Sequence, residues 1–179
     1  MPDLDAGLTE DELVGIETTF GFRFPPDLRA LLGVTLPVSR GWLDWRNADR
    51  AEIAAKLAAP FDGVAPYFRN YEYWLSGWGP RPAALDDRMR FLANVPVLIP
   101  IAGQHYMAAE PCEPGNPVFS ILGIDIIVPG CDLDDYLAGG PRSIATKGTA
   151  RHIRFWSDIV YEWWPGWLDL LRREVERMQ

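Results

Sequence analysis

The chain has 179 residues, 48% of them hydrophobic, and a formal net charge of −8. That apolar content excludes wholesale disorder, and a chain of this length buries roughly 70% of its extended surface, enough for a core without disulfide or metal. Two cysteines, Cys112 and Cys131, are too few for a secreted disulfide framework and lack metal-knuckle spacing, so they read as reduced thiols. No start resembling a signal peptide and no apolar run of spanning length stands in the sequence, so a cytoplasmic protein with no membrane partner is expected.

Taken in chain order, Thr9 and Glu12 have capping-box spacing, and Leu8 and Leu13 fall at the flanking staple positions. Leu13, Ile16 and Phe20 repeat at helical spacing, and Gly21 is the expected left-handed stop. Pro25-Pro26 opens a second short helix with Leu28, Leu31 and Leu32 as its stripe, because a missing amide costs nothing in a first turn. Residues 49–59 predict a third helix, with Ile53 and Leu57 one turn apart and Pro60 as its stop. Residues 61–82 are crowded with aromatics and interrupted by Gly and Pro. They predict strand and loop, with Tyr71, Tyr73 and Leu75 alternating against Glu72, Trp74 and Ser76.

Helical period returns over 82–93 through Leu85, Met89 and Leu92. Residues 97–101, 104–108, 118–121 and 124–128 predict strands, with a tight turn at Ala102-Gly103 and a stop at Pro129-Gly130. Asp132 caps a helix through Leu137, and Gly139-Gly140-Pro141 breaks it. Residues 139–150 read as a loop, and 152–164 and 165–178 as one broken helix or two, striped by Trp167, Leu168, Leu171, Val175 and Met178. Helices first, strands later and helices last is an α+β order: an antiparallel meandering sheet with helices packed on one face. The expected organisation is a single domain over 1–179, with a core of about 8–139 and a C-terminal helical extension over 151–179.

Residues 151–179 hold five arginines and five acids, so the whole negative excess lies in residues 1–150. Such a surface repels phosphates, which argues against nucleic acid as a direct ligand, and it speeds the encounter with a basic protein. No nucleophile elbow, zinc-protease helix or phosphate-cradling glycine loop is present. His105 and His152 alone could serve as neutral-pH bases, and His105 reads as a hydrogen-bonded strand residue, so no catalytic residue is assigned. Asp132-Leu133-Asp134-Asp135 lacks the order of a calcium loop and reads as a helix start, so neither metal nor cofactor is expected.

Eight tryptophans are the positive signal, since Trp dominates the energetics of protein interfaces. Trp42 and Trp167 sit beside apolar stripes and read as core. Trp45, Trp74 and Trp78 stand in Gly-, Pro- and charge-rich loops, where a scaffold displays a binding surface. Asp44 and Glu72 beside them supply acceptors for a partner's arginine or lysine, and Arg81 is expected to pair internally with one of these acids.

The capped first helix is followed by Gly21-Phe22-Arg23-Phe24-Pro25-Pro26-Asp27-Leu28, a Leu-rich helix and Gly41-Trp42-Leu43-Asp44-Trp45. Further on come Gly77-Trp78-Gly79-Pro80-Arg81-Pro82, Gly115-Asn116-Pro117-Val118-Phe119-Ser120, Asp125-Ile126-Ile127 and Asp132-Leu133-Asp134-Asp135-Tyr136-Leu137. In this order the segments resemble the SUKH superfamily, the yeast cell-wall assembly regulator-like group that in bacteria supplies immunity proteins against polymorphic toxins. Here Asp27–Leu32 runs into Gly33-Val34, where many members carry a Tyr-x-x-[FL]-Leu run and Asn-Gly. The resemblance implies a SUKH-like α+β fold and a non-catalytic bacterial immunity protein that occludes the active site of a cognate toxin domain. The acidic charge suits a basic, nuclease-like toxin, and the chain is expected to be a monomer or weak dimer. An intracellular scaffold of the same fold is one alternative; a small-ligand or peptide binder with a pocket lined by Trp74, Trp78 and Tyr106 is another.

Overall fold

The structure, a computed structural model, describes residues 3–38, 41–139 and 150–160. Helix α1 (Glu10–Phe20) starts on the expected capping box: Thr9 Oγ1 accepts from the Glu12 amide at 3.3 Å, and Glu12 Oε2 from the Thr9 amide at 2.7 Å. Gly21 ends it at φ 72°. The following turn is held by Glu17, whose Oε1 accepts from the Phe24 amide at 3.0 Å, and α2 (Pro26–Val34) begins on its prolines. Leu8, Leu13, Ile16, Leu28 and Leu32 are all buried. Each such side chain contributes about 1.5–3 kcal/mol of burial. Strands β1 (Leu4–Ala6) and β2 (Thr35–Pro37) pair antiparallel beside the two helices. Sequence reasoning missed both, because three residues are too few for alternation to register.

Helix α3 (Arg50–Asn70) overturns two expectations. Asp49 caps it, and it runs through Pro60 and Pro66 instead of stopping at Pro60. Residues 61–70, expected as strand and loop, are therefore helical. Each proline forfeits an i→i−4 hydrogen bond. The helix persists because Pro60 is itself buried, along with Ile53, Val64, Ala65 and Phe68 on the inner face. Tertiary packing outweighs the local signal here. Residues 71–82 form an irregular loop with a 3-10 turn at Ser76–Trp78, not an alternating strand, and α4 (Leu85–Leu92) follows as expected.

Strands β3 (Leu98–Ala102), β4 (His105–Ala108), β5 (Val118–Leu122) and β6 (Asp125–Gly130) form an antiparallel meander in that order. Ala102 pairs with His105, so the first turn falls on Gly103-Gln104, one residue later than expected, with Gly103 at φ 59°. A register shift between the Val118–Gly130 and Ser120–Ile127 pairs accommodates Pro129, so β6 continues through the predicted stop. Helix α5 (Leu133–Leu137) is capped by Asp132, whose Oδ1 accepts from the Asp135 amide at 2.8 Å.

Apolar clusters cover both faces of this sheet, which corrects the one-face expectation. Ile99, Met107 and Val118 join α1, α2 and Trp45 in one cluster. Leu98, Tyr106, Phe119, Ile121 and Ile126 join α3, Leu92, Phe155, Trp156 and Ile159 in the other. Residues 156–160 are helical after an irregular stretch over 151–155, so the helix expected from 152 starts later. The rest of that helix, the stripe over 165–178 and the loop over 140–149 lie outside the described residues. Buried Asn116 ties the segment after 150 to the sheet: its Nδ2 donates to the Ala108 and Pro111 carbonyls, and its Oδ1 accepts from Arg151 at 2.7 Å.

Candidate partner-binding surface

The structure separates the expected site residues into two groups. Trp45 is 5% exposed, and its ring meets Phe24 and Phe22 edge-on at 5.2 and 6.2 Å. It is a core ring, contrary to its assignment to a partner surface. The cause is the turn it occupies. Asp44 Oδ1 accepts from the Arg46 and Asn47 amides at 3.1 and 3.0 Å, and Oδ2 from Asn47 Nδ2 at 3.0 Å. Burial pushes the Asp44 carboxyl up, but the hydrogen bonds from Asn47 and Arg46 and the Arg46 charge outweigh it and hold the pKa below its ordinary value. Asp44 is a turn cap with its acceptors spent inside the protein. Arg46 in turn reaches Glu12 at 2.7 Å and the Ala6 and Gly7 carbonyls, locking this turn onto α1.

Loop 71–82 does bring Glu72, Trp74 and Trp78 together. Trp78 lies near-parallel to both Phe68 (5.9 Å, 20°) and Phe155 (5.1 Å, 14°), which themselves touch at 6.0 Å, and donates its indole N–H to Asp158 at 2.8 Å. Trp74 packs on Phe91 at 4.7 Å and donates to the Gly79 carbonyl at 2.9 Å. Tyr106 is buried in the cluster against which half-buried Trp74 and Trp78 pack. Asp158 also accepts from the Phe155 amide at 2.9 Å and lies 2.7 Å from His152 Nε2. The Trp78–Asp158 bond staples the segment after 150 to the tryptophan loop, and the His152–Asp158 pair holds that segment's own turn. Outward, the loop presents Tyr71, 71% exposed, and Glu72, which pairs with Arg81 at 3.2 Å as expected.

The larger open surface lies elsewhere, on the sheet face that carries Ile99 and Met107. Two register rows cross that face. Ile99, Met107, Val118 and Gly130 pair in sequence and are all buried. In the next row Trp42 pairs with Ala102, Ala102 with His105, His105 with Ser120 and Ser120 with Ile127; the first four are half-buried, Trp42 and Ala102 against the core, and Ile127 is exposed. Ile127 is 54% exposed, and Leu122, diagonal to it, 73%. Leu137 on neighbouring α5 is also exposed, as are Asp125 and Asp134. The face thus runs from a buried core to a platform of exposed side chains at Leu122, Asp125 and Ile127.

Helix α5 forms the wall between them. A Cβ on Gly130 would lie 2.5 Å from the Tyr136 Cβ, so only glycine lets α5 settle there. The Tyr136 hydroxyl then reaches His105 Nδ1 at 2.8 Å. Burial pushes the His105 pKa down and the Tyr136 pKa up, so both are neutral at pH 7. At the tip of the β5–β6 hairpin, Gly123 abuts the Tyr67 ring, which lies 5.7 Å from Tyr71.

Sequence reasoning missed this row because its members come from five separate segments. The one local hint was Ile127, an apolar residue at the solvent position of an alternating strand. Among the described residues no group of His, Cys, Asp or Glu is arranged to hold a metal ion, and no helix is long and apolar enough to cross a membrane. No protein-family model, curated protein or solved structure matches this chain.

Proposed function

We propose that this chain is a non-catalytic protein-binding domain, an immunity protein of the producing bacterium's cytoplasm. It seats a basic toxin domain on the exposed end of its sheet face and so occludes that domain's active site. The observation that carries this reading is the contrast between the buried Ile99–Gly130 row and the exposed apolar end of the same face at Leu122 and Ile127. Leaving Leu122, Ile127 and Leu137 in water is unfavourable for a surface without a partner. Exposed Asp125 and Asp134 stand on the same strand and helix as Ile127 and Leu137, and with a net charge of −8 they steer a basic partner in. The ordered motifs resembling the SUKH superfamily support the same reading. A monomer or weak dimer fits a platform reserved for another chain.

Co-expression with the C-terminal domain of the protein encoded immediately upstream tests it. Growth rescue together with a stable co-purifying complex supports the immunity reading. Failure to rescue, with no complex even at low salt, overturns it and leaves the scaffold reading, in which the same platform takes several weak partners.

A further inference from the structure

Helix α4 sets Asp87, Arg90 and Phe91 along one face at helical spacing, with Asn94 and Val95 just beyond its end. Opposite stands the Arg154-Phe155 turn, and the two walls enclose a half-open cavity of about 300 Å³, lined mainly by apolar atoms. That volume is at the lower end of small-molecule sites. Half-buried Phe91 and Val95 make the floor, and Phe155, 1% exposed and stacked on Trp78, backs it.

Three features point to an anionic ligand with a ring. First, two guanidiniums stand at the mouth. Arg90 Nη1 donates to Asp87 at 2.7 Å and Arg154 Nη2 to the Asn94 carbonyl at 2.7 Å, each using one of five N–H donors. Second, two cations against one carboxylate reverse the local sign of a chain whose net charge is −8, so the cavity attracts what the rest of the surface repels. Third, Phe155 holds φ at 72°, a left-handed conformation costly for a bulky side chain. Asp158 fixes it by accepting from the Phe155 amide, which turns the ring inward and leaves Arg154 at the rim. We infer that this cavity is a binding site for a small aromatic carboxylate, its ring over Phe91 and Val95 and its carboxylate between Arg90 and Arg154. The inference is independent of the partner platform.

Titration calorimetry of the full chain with 4-phenylbutyrate and with the neutral 4-phenyl-1-butanol tests it. The acid is expected to bind saturably at one site, at least about tenfold more tightly than the alcohol. Arg154→Ala is expected to weaken the acid at least about tenfold, and Arg90→Ala, at an exposed position with no carbonyl to hold, to weaken it several-fold without changing the melting temperature. Val95→Trp should abolish binding by filling the cavity. Absence of saturable heat up to about 10 mM acid, equal affinity for acid and alcohol, or unchanged binding in Arg90→Ala would each overturn the assignment.

Discussion

Arg88 is 8% exposed and spends its guanidinium on backbone: Nε donates to the Phe68 carbonyl at 3.3 Å, and Nη1 to Pro82 and Ala83 at 3.0 and 2.9 Å. It thereby fastens the end of α3 to the loop that leads into α4. Arg88→Met keeps most of the volume but leaves those carbonyls without a donor, so it should cost about 3 kcal/mol in urea denaturation; an unchanged midpoint would show that water replaces the guanidinium freely. His105 makes a pH-dependent contribution of known sign. Burial lowers its folded pKa below 6.5, so between the two values the unfolded chain binds more protons than the folded one. Stability should fall as pH drops through 6.5 towards the folded value, and then level off. His105→Gln should remove that part of the slope in thermal melts between pH 7.5 and 5.5, and parallel profiles would contradict the account.

At the level of elements, the legible features were those whose partners lie three or four residues apart. The Thr9–Glu12 box, the Gly21 stop, the Pro25-Pro26 start and the Asp132 cap all stand as spaced, because each is a closed hydrogen-bond problem within one turn. Helix α3 was illegible beyond Pro60 because its continuation depends on burying Val64, Ala65 and Phe68 against distant strands. The site was harder still. Trp45 and Trp78 carry the same local signals of Gly, Pro and charge, yet each is folded inward by a carboxylate cap, Asp44 or the distant Asp158. The Trp42–Ile127 row needs the register of four strands at once. Pro66 offers a test of the helix argument. It is exposed, and Pro66→Ala restores a donor for the Asp62 carbonyl, so stability should rise by about 1–3 kcal/mol. A lower melting temperature would mean that the proline itself sets the helix geometry.

For the whole molecule, apolar clusters cover both faces of one sheet except at the exposed Leu122–Ile127 end, in a chain whose negative excess lies before residue 151. Net charge brings a basic partner close, whereas the apolar platform decides whether it stays. The two contributions separate experimentally, since salt weakens the first and a substitution on the platform removes the second. Ile127→Lys is the sharpest such substitution: lysine is well tolerated on an edge strand, and it replaces an apolar contact with a charge a basic toxin repels. The decisive measurement is growth rescue and complex formation, in co-expression with the upstream-encoded C-terminal domain, by the wild-type chain and by Ile127→Lys at matched melting temperature. The account predicts rescue and a stable complex for the wild type, and loss of both for Ile127→Lys. Rescue by the variant equal to that of the wild type would contradict the platform, and failure of the wild type would contradict the immunity reading itself.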